Sequence, residues 1–327
     1  MRGWQGIALL GISLFLGCAE QKSVVDQYVA AVALRELGQN ELAVEKLTAV
    51  VQADPDFALA FSELGRSHEA LGDHRKAAKA YRQVVELDPW CLQDWLRLAR
   101  VSEQLEQYVE AAEAYVRAAE LDPNDLAALM GVAECSLKTR DYVRVLAYCE
   151  LVEQAGGHPQ EVLLLRARAY EGQKDYEHAV QAHRRLLAMD PQNVDRYLAL
   201  GAVYMKVRQY DDARGVLSSA ARIWPENGRV YRYLGYCSAK LRDADKAIEM
   251  YEQSVDIDAG DWEAHRGLGV AYMLKARQTG DARWQEMAVR HWRQSLAIRP
   301  GQPKHKTLEK LIRDHSKVAN PLKGLNY

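Results

Sequence analysis

Residues 92–125 read LQDWLRLARVSEQLEQYVEAAEAYVRAAELDPND, and the way this stretch repeats along the chain decides the fold. Its apolar residues recur at three- and four-residue steps in two successive runs, the period of an amphipathic helix rather than the alternation of a strand. Asp122-Pro123 closes the second run, because proline cannot continue a helix but is well placed to begin the next one.

Stepping the chain by 34 residues from Val24 places equivalent residues in columns, with starts at Val24, Ala58, Leu92, Leu126, Gln160, Val194, Gly228 and Trp262. The eighth column is Ala31, Gly65, Ala99, Ala133, Ala167, Gly201, Gly235 and Gly269. The twentieth is Ala43, Ala77, Ala111, Val145, Ala179, Ala213, Ala247 and, after an insertion of seven residues in the last unit, Ala288. Two columns of small residues are what a pair of antiparallel helices needs where their axes approach most closely. Large residues fill the remaining interface, with Trp95, Leu129, Leu163, Tyr197 and Tyr231 at the fourth column and Tyr81, Tyr115, Leu217, Tyr251 and Trp292 on the second helix. Gly38 and Gly72 can close first helices, while Asp73, Asp141, Asp175 and Asp243 can cap second helices. Asp54-Pro55, Asp88-Pro89, Asp122-Pro123 and Asp190-Pro191 end their units, with Pro225 and Pro300 in the same column.

This pattern resembles the tetratricopeptide repeat family, over about five-sixths of the chain. The resemblance implies an all-α fold: a right-handed α-solenoid of about eight helix-turn-helix units over residues 24–300, with the first helix of each pair lining a concave groove. One pair cannot bury its apolar face alone, so stacked neighbours complete the core and the ends need caps. Leu308, Leu311 and Ile312 share one face of residues 301–315, which suits a capping helix, and residues 316–327 read as a flexible tail. Two units depart from the pattern. The fourth has Val145 and Cys149 at core columns and Gly156-Gly157 in place of Asp-Pro, which marks a candidate bend. The eighth carries its insertion between Ala276 and Met287, which maps to a surface edge.

The N-terminus is a separate segment. One arginine is followed by a ten-residue apolar run, Ile7 to Leu16, then Gly17 and Cys18, so residues 1–17 read as a signal peptide. Ten residues make about 15 Å of helix, roughly half a bilayer's hydrocarbon thickness, which disfavours a transmembrane anchor. Leu14 to Cys18 is similar to a bacterial lipobox, although Phe15 and Leu16 depart from its usual residues. The resemblance implies lipid attachment at Cys18, residues 18–23 as a linker, and the bacterial cell envelope as location. Ala19, where sorting to the inner membrane would call for aspartate, points to the outer membrane facing the periplasm. A secreted protein with an incidental Cys18 is the alternative.

A formal net charge of −2 is no footprint for nucleic acid. Cys91, Cys135, Cys149 and Cys237 lie 44, 14 and 88 residues apart, which matches no zinc spacing. The columns place Cys135 and Cys237 as small buried hydrophobes, and His183 as a core histidine rather than a ligand. No phosphate-binding glycine loop, HExxH or nucleophile elbow appears. The expectation is therefore a non-enzyme with no catalytic residue, no cofactor, no metal and no small-molecule substrate.

In the family, binding falls mainly to the second, fifth, ninth and twelfth positions of each first helix. Carried onto this chain these include Arg66, Leu96, Arg100, Met130, Leu164, Arg168, Leu198, Met205, Arg232, Tyr236, Arg266, Val270 and Met273. Apolar residues alternating with arginines suit an extended or helical partner segment with aliphatic anchors and acidic groups. Equally, the arginines could be ordinary surface residues paired with Glu69, Glu103, Glu134 and Glu171. The Lys and Asn arrangement by which some tetratricopeptide domains clamp a chaperone's C-terminal carboxylate is absent. The expected function is a lipid-anchored envelope adaptor that binds a protein or peptide in its groove to assemble or localise a complex. A non-catalytic regulatory or substrate-presenting subunit of an envelope enzyme is the alternative.

Overall fold

The computed structural model describes residues 23–316, and among these every regular element is an α-helix. Residues 1–22, with Cys18 and the expected signal peptide, and residues 317–327 lie outside the described residues. The chain divides into two compact units, the second beginning at His158.

In the first unit, four helix pairs follow one another: α1 (Val24–Glu36) with α2 (Asn40–Ala53), α3 (Ala58–Ala70) with α4 (His74–Leu87), α5 (Leu92–Gln104) with α6 (Tyr108–Leu121), and α7 (Leu126–Lys138) with α8 (Tyr142–Gln154). The second unit holds α9 (Pro159–Gln173) with α10 (Tyr176–Met189), α11 (Val194–Lys206) with α12 (Tyr210–Ile223), α13 (Gly228–Lys240) with α14 (Ala244–Ile257), α15 (Trp262–Thr279) with α16 (Ala282–Ile298), and a last helix α17 (His305–Ser316). Within each unit every helix packs on the next, which is the all-α repeat solenoid that the columns foretell.

The small columns do what their size dictates. Ala99 and Ala111 are wholly buried, as is every residue of the twentieth column, so the paired helices meet with no side chain between them. Where the eighth column is glycine, a large side chain from the second helix fills the space, a ring at Gly65, Gly235 and Gly269 and Leu217 at Gly201. A Cβ on Gly65 would lie 2.5 Å from Tyr81, and one on Gly235 would lie 2.8 Å from Tyr251. The fourth column also ties a repeat to the turn before it, since Trp95 Nε1 donates to the Pro89 carbonyl at 2.9 Å.

Between the paired helices the chain turns through one left-handed residue at the fifteenth column. Gly38, Gly72, Glu106, Arg140, Lys174, Arg208 and Arg242 occupy it, and Gly280 takes the same role in the lengthened eighth repeat, with φ between 58° and 77°. In the first repeat Gly38 N–H donates to the Arg35 carbonyl and Gln39 N–H to the Leu34 carbonyl, satisfying the end of α1. The side chains of Asp73, Asp141, Asp175 and Asp243 then cap α4, α8, α10 and α14. Asp54, Asp88, Asp122 and Asp258 each accept from the backbone N–H two residues on, which shapes the turn to the next repeat.

The fourth repeat has Gly156 with φ 78° in that aspartate column, and the boundary between the two units falls immediately after Gly157. In the eighth repeat the insertion lengthens both helices rather than their turn: α15 has 18 residues and α16 has 17. The added length carries Trp284, whose ring stacks on Tyr272 at 5.7 Å with Lys275 Nζ 4.2 Å above it. Leu308 of α17 is buried against the last helix pair, with Leu311 and Ile312 packed beside it.

Candidate functional site

In the second unit the first helices α11, α13 and α15 lie side by side, and a cavity of about 660 Å³ opens along them. Helix α11 contributes Met205 and Lys206; α13 contributes Arg232, Tyr233, Tyr236 and Lys240; α15 contributes Glu263, Arg266 and Val270. Tyr251 of α14 forms the floor. Tyr236 and Val270 are 39% and 51% exposed, so the mouth presents apolar surface.

Of the residues singled out in the sequence, Met205, Arg232, Tyr236, Arg266 and Val270 come together here. Leu198 and Met273 are buried in the packing of the same unit. Leu164 is half-buried and Arg168 exposed on α9, away from this cavity. In the first unit Leu96 is buried, Met130 is half-buried, Arg100 is exposed, and Arg66 is held by Glu63 at 2.8 Å. Leu96, Leu198 and Met273 are therefore core residues. A leucine or methionine at these columns gains more by turning under its neighbours than by facing water.

The column reading missed Lys206, Tyr233, Lys240 and Tyr251. The first three sit beside the expected positions on the same helices, and Tyr251 reaches the floor from the second-helix layer. Its hydroxyl reaches the cavity because Ala239 and Gly267, both lining it, are small.

Arg232 is committed to structure. Its Nη1 donates to both Asp261 oxygens, at 2.9 and 2.8 Å, and its Nη2 lies 3.1 Å from Glu263. Burial alone would lower its pKa, but the two carboxylates more than offset this and raise it. Asp261 is itself buried, caps α15 through the Glu263 and Ala264 amides, and accepts from Ser254 at 3.2 Å. Lys206 pairs with Glu171, and Lys240 lies 5.3 Å above the Tyr236 ring. Arg266 stacks over Trp262 at 4.9 Å, with Arg299 on the same ring at 5.0 Å. The lining thus holds four cationic side chains and one carboxylate.

Glu69 and Glu171 pair with Arg97 and Lys206 of the next first helices, but Glu69, Glu103 and Glu171 also serve the packing of their own repeats. They accept from Tyr81, Tyr115 and His183 of the second helices, the latter two at 2.8 and 2.9 Å. His183 is buried, and its bond holds the Glu171 carboxyl below its ordinary range. Among the described residues Cys91, Cys135, Cys149 and Cys237 form no disulfide, and burial pushes Cys135 and Cys237 up to about 12, which makes them inert at neutral pH. Among the described residues no group of three or more His, Cys, Asp or Glu is placed to hold a metal, and no helix is long and apolar enough to cross a membrane.

Sequence models described as tetratricopeptide repeat match residues 28–89, 93–125, 160–193, 198–261 and 240–303, more than half of the chain. The chain belongs to the tetratricopeptide repeat family. That family consists of protein-interaction scaffolds that are generally non-catalytic. Among curated relatives, small glutamine-rich tetratricopeptide repeat-containing protein 2 of Mycosarcoma maydis is 24% identical over 98 residues, which cover 30% of this chain and 28% of that protein. The BBSome complex member BBS4 of Bos taurus is 30% identical over 87 residues, covering 27% of this chain and 17% of that protein. The matches therefore span less than a third of those relatives' lengths. Among solved structures, that of Naa15/Naa10 bound to HypK-THB is similar in fold, with a TM-score of 0.56 and 16% identity over 91% of this chain and 47% of that one.

Proposed function

We propose that this tetratricopeptide chain is an adaptor of the bacterial cell envelope, anchored by a lipid at Cys18, that receives a segment of a partner protein along α11, α13 and α15. The observation that carries the groove is the cavity itself. It joins exposed apolar side chains, Tyr236 and Val270, to Lys240 and Arg266, cations that pair with no carboxylate among the described residues, as a segment with aliphatic anchors and acidic groups requires. Methionine at its edge, Met205, can adapt to the shape of a bound side chain. The anchor rests on the apolar run ending at Leu16-Gly17-Cys18. Two acyl chains hold firmly where one is marginal, at about 0.8 kcal/mol per buried methylene.

Two measurements test the two halves. Envelope extract passed over the immobilised chain should yield a partner that is lost when Tyr236→Glu and Val270→Glu are combined. Undiminished recovery would move the site elsewhere. A labelled fatty acid should enter the parent chain but not Cys18→Ala, and equal labelling would remove the anchor.

A further inference from the structure

In three repeats a polar group at column 24 of the second helix is satisfied by a glutamate at column 12 of the first. Glu69 accepts from Tyr81, Glu103 from Tyr115 at 2.8 Å, and Glu171 bonds His183 at 2.9 Å. In the seventh repeat column 24 is again a tyrosine, Tyr251, but column 12 is Ala239. Tyr251 is 4% exposed, and its hydroxyl makes no hydrogen bond among the described residues. The hydroxyl is not sealed in the core but opens on the cavity, where a bound group can accept from it. The side chain borders the cavity, so the missing acceptor can be supplied only from there.

A second group that differs from its counterpart in another repeat lines the same cavity. Arg232, at column 5 of the seventh repeat, has Asp261 at the last column of its repeat and Glu263 at the second column of the next. Arg266 stands at column 5 of the eighth repeat. The positions equivalent to Asp261 and Glu263 are there Gln302 and Lys304. The register is secure, because Gln302 is buried against Ser295 at 3.0 Å as Asp261 is against Ser254. Arg266 thus stands on the Trp262 ring and pairs with no carboxylate among the described residues, and it is one of the cations whose field acts on the Tyr251 hydroxyl.

We infer that these two groups form a receptor for a glutamate side chain of the partner segment, whose carboxylate takes the place that Glu69 and Glu103 fill from within the chain. One oxygen accepts from the Tyr251 hydroxyl and the other faces the Arg266 guanidinium. The cavity, at about 660 Å³, is far larger than one carboxylate needs. Aliphatic neighbours of the glutamate therefore enter with it and meet Met205, Tyr236 and Val270. This assignment rests on the reading of the groove as a protein-segment site.

The test uses the full-length chain and two pools of peptides blocked at both ends, with a central glutamate or glutamine flanked by leucine, isoleucine, methionine and alanine. The best glutamate peptide should bind about tenfold or more tightly than its glutamine twin, the size of a charge-assisted hydrogen bond with a paired cation. Tyr251→Phe keeps the ring and removes only the hydroxyl, and should narrow that ratio, as should Arg266→Gln. Ala239→Glu restores from within the carboxylate found in the other repeats, and should abolish binding while raising thermal stability. Equal binding of the two pools, or undiminished binding to Ala239→Glu, would overturn the receptor while leaving the groove intact. So would binding confined to peptides with a free C-terminus, which would make the ligand a terminal carboxylate. Partner recovery that survives the combined Tyr236→Glu and Val270→Glu change would instead remove the groove itself.

Discussion

The ring of Tyr251 occupies the space that a methyl group on Gly267 would need. A Cβ there would fall below contact distance from the ring carbons Cζ and Cε1 and lie 2.8 Å from the hydroxyl oxygen. A Cβ on Gly235, on the neighbouring first helix, would lie 2.8 Å from the same ring, so the tyrosine is seated between two glycines. Gly267→Ala should therefore overpack the pair and cost about 1–3 kcal/mol. Gly215, mid-way along α12, has nothing within 4 Å of its Cβ position. Gly215→Ala should stabilise by about 0.5–1 kcal/mol, because alanine gives up less backbone entropy in a helix. Denaturant melts of the two variants should move in opposite directions, and a shared direction would refute the packing argument.

The eighth and twentieth columns could be read from the sequence because close helix approach admits few residue types, whichever repeat they stand in. The core thus shows as a column. The site does not, because its chemistry lies in pairs that join different columns. Arg232 looks like a free groove arginine until Asp261 and Glu263, in the next turn and the next helix, are seen to hold it. Leu96 and Leu198 share column 5 with Arg232 and Arg266, yet both leucines are buried, since the side chain's polarity decides which way it turns at that position. Tyr251 resembles Tyr81 and Tyr115 in sequence and differs from them in what faces it.

Removing Arg232 should damage the fold more than any binding. Its side chain is 19% exposed and that of Asp261 5%, so Arg232→Ala would leave a buried carboxylate with no cation. Such a loss costs about 3 kcal/mol. Thermal melts should show it even without ligand, whereas Arg100→Ala, at an exposed position, should stay within about 0.5 kcal/mol of the parent. Equal melting temperatures for the two variants would mean that the Arg232 pair contributes nothing net.

The left-handed column offers a stabilising change. Arg208 holds φ at 62° where Gly38 and Gly72 hold 77° and 74°, and its side chain is exposed. An L-residue in this conformation carries about 1–2 kcal/mol of steric cost, against somewhat less than 1 kcal/mol of extra chain entropy for glycine. Arg208→Gly should thus raise stability by about 0.5–1 kcal/mol, and Gly72→Arg should lower it by a similar amount. A destabilised Arg208→Gly would show that the arginine side chain contributes more than its backbone costs.

His291 makes the last helix pair sensitive to mild acid. Its Nδ1 lies 3.1 Å from Nδ1 of His265, whose Nε2 in turn faces the Ala259 carbonyl at 3.3 Å. A carbonyl only accepts, so His265 carries its proton on Nε2 and His291 donates from Nδ1. Burial between His265 and Tyr272, followed by the fields of His265 and Arg290, lowers the His291 pKa to about 4. The unfolded chain takes up a proton near pH 6.5 while the folded chain does not, so stability is complete above that pH and falls as the pH drops towards about 4. Between pH 7.5 and 5 the loss should reach ~2 kcal/mol. His291→Phe keeps a ring against Tyr272 and removes the titration. Its melting temperature should fall less steeply than the parent's over that interval, and parallel slopes would assign the acid sensitivity to another group.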